Sequence, residues 1–585
     1  MTSRSAISFL LLLSLALPSL AQPFFRDTKL RLGSTNYFAG IPVSLALVPA
    51  DPSLLLVGTT GGTIRLIRVA REGLLYSVVK ELGEVSVGDR RSVLGINADP
   101  FEPNTFFVST SVPFWRERGF GEDGWQNGRI ERLFFKPETL EIQLDEIAAV
   151  KGLPASPTTA GVYSAIVDPL TARLLISIPA FNNGGVPTED GALPDSVLSG
   201  AILDVDIRRG GTLRVKWSSS NPKVAVPLDT PEQSGIAIYA EGIRSAFQVA
   251  ISRFNRPFLV DGGANVGRGE RSLSCFRSRP FLKSFPDKVI RVRRGEYYGH
   301  PNRQREQCTF ISPEIKPEVA RSRFPGYTPP LFTNMEAIRK GDVGSGTVGV
   351  AFYESNLFPG FRGTLLGSDS VLVFESGREG RKAPGLVAYS LKKQVAVRVG
   401  GTAGTCLAVN IFGDVFAAQA PNRTIGVAVP KVGPARRGAK GIWSVFPSRG
   451  VPGSYMFVTG VGLAVDGGIE IGGNKCTEAE IVDGKLLLVR CKVPGVESFQ
   501  RTPLDVSVGE FKLTSAFTIL NPLIAQPSVG EIGDDDGNGD EDLSEEGSPE
   551  GSPEESAEES AEENLILSPS DGSVVREFSS EDLEL

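Results

Sequence analysis

The sequence predicts an all-β protein: a large domain built from repeated strands, a smaller second β-domain, and an acidic tail. Three observations predict it. Short apolar strands recur through the first three quarters of the chain, each entered by a Pro, Gly or Asx turn. Gly and Pro are abundant, 66 and 41 of 585 residues, and no sustained helical periodicity accompanies them. The composition then shifts twice, first at a Pro, Gly and charge-rich linker and then at a long acidic run. A chain of this length is expected to divide into two or three domains.

Residues 1–21 read as a secretory signal. Arg4 precedes the apolar run Phe9–Leu17, and Ser19-Leu20-Ala21 is a small-x-small cleavage site. The run is short for a bilayer span, and no later segment is long and apolar enough for one. The mature protein is therefore expected to be secreted, soluble and without a membrane span. Five cysteines fit an oxidising compartment. Cys275 and Cys308 bracket a basic insert and are placed to staple it. Cys476 and Cys491 are placed to pair across neighbouring strands, which leaves Cys406 as a buried free thiol. Asn422-Arg423-Thr424 is a glycosylation sequon if its loop is exposed.

The repeats follow in order. Asp51-Pro52 leads into Leu54–Gly58, Asp99-Pro100 into Thr105–Ser109, and Asp168-Pro169 into Arg173–Ser177. Asn255-Arg256-Pro257 leads into Phe258–Val260, Pro359-Gly360 into Gly363–Gly367, and Gly413-Asp414 into Val415–Ala418. Repeats of this kind suit a propeller or a sandwich. A strand near Thr28–Leu32 is placed to close a ring against the last repeat. Long insertions at Phe114–Gly128, Phe181–Ser196 and Leu273–Phe285 would be loops over one face, where ligand sites gather.

The chain is organised around Ile238 to Cys308. Arg244 lies on a polar approach, and the strand Phe258–Val260 ends abruptly in Asp261-Gly262-Gly263. A second strand alternates Val289, Arg291 and Arg293 against Ile290 and Val292, the period of a sheet. Three turns here, Gly242-Ile243-Arg244-Ser245, Asp261-Gly262-Gly263-Ala264-Asn265 and Gly295-Glu296-Tyr297-Tyr298-Gly299-His300-Pro301, carry a family likeness. With them, roughly residues 25 to 428 resemble the glucose/sorbosone dehydrogenases, the soluble quinoprotein sugar dehydrogenases. The resemblance implies a six-bladed β-propeller over 22–428.

It also implies a quinone cofactor (PQQ), a calcium ion and a histidine acting as general base on a sugar hydroxyl. The place that matches the family's histidine, Thr159 to Ser164, contains none. The single histidine, His300, stands where the family has a Trp. It is read as a packed, hydrogen-bonded ring, with a catalytic role as the weaker alternative. Arg244 matches the cofactor-facing arginine, and its other reading is an ion pair with Glu241 or Asp261. Asp261, Asn265 and Tyr298 complete the cofactor-binding candidates. The backbone carbonyls of Gly263 and Ala264 are the calcium candidates. Ser245 and Gly262 depart from the family pattern. Two readings stay open. One is a propeller that binds carbohydrate or extracellular polysaccharide without a base. The other is an active PQQ- and calcium-dependent sugar oxidoreductase.

Residues 429–441 form the linker, with Arg436-Arg437 as a candidate processing site. In 442–520, Pro447-Ser448-Arg449-Gly450, the Gly472–Cys476 turn and Cys491–Pro494 are similar to the IPT/TIG family. That implies an immunoglobulin-like β-sandwich serving as a spacer or contact module. Residues 521–585 are read as a disordered acidic tail. Within it, 531–585 hold 21 acidic residues and one basic, a charge of −20. The remainder has 60 basic against 47 acidic residues, or +13, so the whole-chain −7 conceals a basic body. Nucleic acid is not an expected partner of an exported protein; an anionic polysaccharide or the tail itself is. Asp534, Asp536, Asn538, Gly539 and Glu545 match the spacing of a calcium loop, but no flanking amphipathic helix supports it. Ser544, Ser548, Ser552, Ser556 and Ser560 each have Glu two residues later, a pattern resembling that of secretory-pathway kinase acceptors.

Overall fold

The structure is a computed structural model. It describes residues 25–526 apart from 33–36, 39, 73–74, 89–90, 113–123, 156–160, 188–192, 265–268, 283–284, 313–314, 325, 335–344, 359–360, 372–384, 391–394, 420–422, 432–439, 465–466 and 484–487. The leader 1–21, Asn265, Asn422, the Arg436-Arg437 pair and the acidic run with its calcium-loop and serine patterns lie outside the described residues.

Among the described residues before the linker, the main strands group into six antiparallel blades of four; a parallel pairing joins the first and last blades into one eight-stranded sheet, and two extra strands widen the second blade to six. Their innermost strands are Pro42–Val48, Ser92–Ala98, Ala165–Val167, Val249–Ile251, Ser345–Tyr353 and Leu407–Val409. Each touches the next, and the last touches the first, so the sheets close into a ring. This is a six-bladed β-propeller. The six strands expected from their turns all fall on the second strand of a blade: Asp51–Thr59, Thr105–Ser111, Leu174–Ile178, Pro257–Asp261, Thr364–Val371 and Val415–Gln419. Five of the six turns, those at Asp51, Asp99, Asp168, Asn255 and Gly413, lie in the connection between first and second strands, where a pre-set φ and local hydrogen bonding shape the bend, and Pro359-Gly360 lies outside the described residues.

Closure comes from the N-terminal strand, Phe25–Arg31. It lies antiparallel to Thr424–Pro430 as the outer strand of the last blade, and it also pairs with the outer strand of the first. Asp27 fastens it, accepting from Gly401 N at 2.7 Å and from Thr402 N at 2.8 Å. A polar tie spans the same seam. Tyr76 donates to Asp414, Arg71 lies 3.1 Å from that carboxylate, and Asn410 donates to Tyr76 Oη at 2.9 Å. Burial pushes the Asp414 carboxyl up to about 6.

Each inner strand starts at one end of the central channel and finishes at the hairpin end. Loops between the second and third strands emerge at the opposite end and carry the long insertions. Two insertions meet there in a small separate sheet of Gly185–Val186, Glu270–Ser272 and Ser278–Pro280. The Cys275–Cys308 disulfide, with Cα atoms 4.7 Å apart, staples this cap. Beneath it Trp125 packs edge-on against Trp217 at 4.6 Å and Phe181 at 6.1 Å.

Beyond the linker, two further sheets pack face to face. One is ordered Gly441–Phe446, Tyr455–Val461, Leu488–Lys492, Ala479–Asp483. The other is ordered Arg449–Gly450, Phe511–Ile519, Leu504–Val508, Ile469–Ile471, Asn474–Lys475. Met456, Val458, Ile471, Val506 and Phe517 are fully buried between them. The Cys476–Cys491 disulfide, Cα atoms 5.7 Å apart, joins the two sheets, from the residue after edge strand Asn474–Lys475 of one to strand Leu488–Lys492 of the other, and not two neighbouring strands as expected; Cys406 is a buried free thiol.

The sandwich sits against the hairpin end of the propeller. Arg449 donates to Ile251 O at 3.2 Å and Ser252 O at 2.9 Å. Arg362 donates in the other direction, to Thr514 O at 2.6 Å and Ser515 O at 2.9 Å. A cavity of about 320 Å³ lies at the junction, lined by Leu47, Ile96, Phe352, Glu354, Phe446 and Arg449 among others. No helix among the described residues is long and apolar enough to cross a membrane.

Candidate functional site

The candidate site lies at the capped end, where the loop entering blade 4 meets the loop leaving its second strand. Strand Pro257–Asp261 is buried along its length and delivers Asp261, fully buried, at its end. One carboxylate oxygen accepts from Ser245 N at 2.7 Å, and the other lies 2.9 Å from Lys288 Nζ. Asp261 and Lys288 are register partners across the sheet, so strand pairing itself makes the ion pair. Lys288 also donates to Tyr298 O at 3.0 Å.

The glycine turn after Asp261 wraps around Arg244. The guanidinium Nη1 donates to Gly262 O at 3.1 Å and to Gly263 O at 2.8 Å. Gly263 N donates to Asp287 at 2.8 Å, and Ala264 O accepts from Phe285 N at 2.8 Å. A Cβ on Gly263 would fall 1.9 Å from Phe285 O, so only glycine allows this approach. Neither Glu241 nor Asp261 forms the ion pair considered for Arg244. Glu241 faces Arg305 Nε at 3.3 Å, and Asp261 is taken by Lys288.

His300 lies behind this cluster at 1 % exposure. Its backbone N donates to Gly242 O at 2.9 Å, which locks the Gly295–Pro301 segment onto blade 3. Neither ring nitrogen has a hydrogen-bond partner among the described residues. The closest acid is Asp195, whose Oδ2 is 3.8 Å from Nε2, beyond hydrogen-bond distance. Asp195 is already occupied, accepting from Phe181 N at 2.6 Å, Asn182 Nδ2 at 2.5 Å and Ser199 Oγ at 3.0 Å. Burial holds the His300 pKa below its ordinary value, with Asp195 opposing. The ring is therefore a neutral imidazole near neutral pH.

Tyr298 joins the apolar core between blades 3 and 4, with Leu175, Ile202, Leu259 and Ile290. Its hydroxyl donates to Arg291 O at 2.8 Å and accepts from Arg293 N at 3.0 Å, and burial pushes its pKa up to about 12. The structure thus brings Arg244, Asp261, Gly263 and Ala264 together, places His300 behind them, and puts the Tyr298 ring in the core. Of the segment matching the family's histidine, Thr159 and Ala160 lie outside the described residues. Tyr163 stacks on Phe247 at 4.0 Å, and Ser164 Oγ accepts from Val249 N at 3.3 Å.

Sequence reasoning missed Lys288, Asp195 and Arg305. Lys288 was recoverable from strand alternation once the register with Asp261 was known. Asp195 and Arg305 sit in irregular loops with no local pattern to mark them. Arg305, its side chain almost wholly buried, donates to Val197 O at 2.6 Å and Ser199 O at 2.8 Å, and so ties the segment after Pro301 to the end of the Phe181–Ser196 insertion. Among the described residues no group of three or more His, Cys, Asp or Glu side chains is placed to hold a metal ion.

No family model matches the chain, and no curated protein matches it. Among solved structures it is similar to the PQQ-bound aldose sugar dehydrogenase of Streptomyces coelicolor, 15 % identical with a TM-score of 0.41, covering 70 % of this chain and 99 % of that one. It is also similar to the calcium structure of a Trichoderma reesei family AA12 carbohydrate-active enzyme, 13 % identical with a TM-score of 0.44, covering 70 % and 97 %. A third is the holo PQQ domain of Coprinopsis cinerea pyranose dehydrogenase, 10 % identical with a TM-score of 0.42, covering 70 % and 99 %.

Proposed function

We propose that the chain is a secreted propeller protein that binds carbohydrate at its capped end without oxidising it. The ligand class rests on the three turns that resemble sugar dehydrogenases, Gly242–Ser245, Asp261–Asn265 and Gly295–Pro301. The observation that carries the non-oxidising reading is the Arg244 guanidinium bonded to both Gly262 O and Gly263 O. A calcium ion needs several oxygen ligands with free lone pairs and a net negative surround. Here a cation of the chain already holds two of the carbonyls, and Ala264 O is bonded to Phe285 N. Asp261 is neutralised by Lys288. These residues do not fit a calcium ion in this arrangement.

They fit a quinone no better. Tyr298, the ring offered for stacking, is in the core, and Nη1 of Arg244 is spent on the turn. No described residue of the 161–164 segment replaces the missing histidine as a general base. The two disulfides support export, and the sandwich at 442–520 is read as an IPT/TIG-like contact module.

The test is a dye-linked oxidation assay on the secreted protein with added PQQ and calcium across a panel of aldoses. A glycan-binding screen runs beside it. The expected result is retention of a carbohydrate class with no turnover and no quinone absorption band. Turnover abolished by His300→Ala would establish the oxidoreductase reading, with His300 as its base. Absence of binding to every glycan would remove the carbohydrate assignment.

A further inference from the structure

We propose that the acidic tail of this chain docks on an arginine cluster at the hairpin end of blade 4, beside the junction with the sandwich. The cluster is set by the sheet. Arg291 ends the third strand of the blade, opposite Phe258, and Val292 N bonds to Pro257 O at 3.0 Å. That pairing brings Arg256, just before Pro257, next to Arg291 and Arg293. Arg256 and Arg293 are exposed and Arg291 is half-buried. Partial burial lowers the Arg291 pKa, and the positive charges of Arg256 and Arg293 lower it further.

None of these three arginines forms an ion pair with a described residue, although the adjacent Arg294 pairs with Asp204. Arg501 of the sandwich extends the patch, because Asn255 Nδ2 donates to its carbonyl at 3.1 Å. Phe254, 45 % exposed, offers an apolar surface in the same turn. Among the described residues these three arginines are therefore positive charges without an ion-pair partner, the nearby Asp204 being taken by Arg173 and Arg294.

The occupant is argued from charge and from where the described chain stops. Residues 531–585 carry 21 acidic side chains and one basic, on a chain whose remainder is +13. The last described turn, Pro522–Ala525, places Ala525 against the core that holds Val205, Ile207 and Ile236. That core lies on the blade 2 side of blade 3, whereas Asp204, the next residue along the strand, pairs with Arg294 on the blade 4 side, so the described chain stops one blade away from the segment that carries Arg293. Thirty residues extended reach on the order of 100 Å, so chain length does not restrict the contact. Several carboxylates facing several arginines give charge-assisted hydrogen bonds that salt weakens.

The test uses the full-length secreted chain with Ser556→Cys carrying a nitroxide label. Cys406 does not compete for the label, because it is 7 % exposed and burial pushes its thiol up to about 12. At about 50 mM salt the label's spectrum is expected to be broad, and at about 500 mM it should sharpen by at least twofold as screening releases the tail. Arg256→Glu combined with Arg291→Glu and Arg293→Glu should give the sharp spectrum at both salts. An Arg→Gln triple should fall between, and matching thermal melts show that each variant folds. A sharp spectrum at low salt in the unsubstituted body would overturn the proposal and leave the cluster to an external polyanion. Broadening that survives the Glu triple would overturn it too, by placing the tail elsewhere.

Discussion

Asp261 and Lys288 show how a buried ion pair organises the neighbourhood of the candidate site. Both are almost wholly removed from water, and their remaining capacity is spent on Ser245 N and Tyr298 O. Removing one partner would strand a charge at a cost of about 3–5 kcal/mol. His300 is the opposite case, a buried polar ring without a hydrogen-bond partner among the described residues. Each unsatisfied nitrogen costs about 1–3 kcal/mol, so the site holds this ring through its backbone. Because burial lowers its folded-state pKa, the unfolded chain takes up the proton first, near the ordinary imidazole value of about 6.5. The stability contributed by neutral His300 is fully present above that pH and is lost as pH falls from it toward the depressed folded value. Asp414, with its raised pKa, has the opposite slope between its unfolded value and about 6. The comparison must therefore be wild type against His300→Gln, in which Asp414 cancels. The wild-type Tm is expected to drop more than that of His300→Gln between about pH 7.5 and 5.5. Parallel melting profiles would show that the ring does not titrate on unfolding in this range.

At the scale of elements, the cap depends on a cross-link more than on its own sheet. Its three strands are two or three residues long, too short to be stable alone. Phe276 and Leu282 within it are 96 % and 92 % exposed, and its apolar packing is a small cluster of Phe281, Phe285 and Phe310 with Ala264. The disulfide closes a sequence separation of 33 residues, which on the chain-entropy view is worth roughly 3–4 kcal/mol. Arg303 adds hydrogen bonds to Ser272 Oγ at 3.1 Å and Ser274 O at 3.0 Å. Replacing both Cys275 and Cys308 by Ser is expected to speed proteolysis within residues 270–308 by about tenfold or more, with the propeller core still protected. Mapping the cleavage sites by mass spectrometry checks this, and unchanged cutting would mean that Arg305 and Arg303 suffice to hold the cap.

At the scale of the whole molecule, propeller and sandwich are joined by reciprocal arginines and not by the linker alone. Arg449 reaches from the sandwich to the propeller, Arg362 reaches back, and Glu354 lies between them with Arg253. The positive charges around Glu354 oppose the effect of its burial, which nevertheless leaves its pKa raised. Burial likewise brings Arg449 down to about 10. Arg449→Ala removes two hydrogen bonds from a charged donor, a loss of about 3–5 kcal/mol at the junction. Calorimetry is expected to show one cooperative transition in the natural protein and two in the variant. A single unshifted transition in the variant would show that apolar contact around the junction cavity carries the coupling.

The sequence alone determined what depends on local chemistry. Five hairpin turns were readable because Asp-Pro, Asn-x-Pro and Gly-Asp bend the chain through φ restriction and Asx hydrogen bonds, whatever surrounds them. The strand near Thr28–Leu32 was placed as a closing strand, and Phe25–Arg31 takes that role. The cysteine pairs and the buried thiol at Cys406 followed from position in the chain. Only the tertiary structure decided which side chains meet. Arg244 chose two carbonyls over Glu241 and Asp261, because Lys288 and Arg305, from distant positions, had already claimed those acids. Tyr298 and His300 are two residues apart in one motif, yet one packs into a core and the other lies against Asp195. Their fates are set by which blade the Gly295–Pro301 segment lies against, and that pairing depends on long-range register that no local pattern encodes.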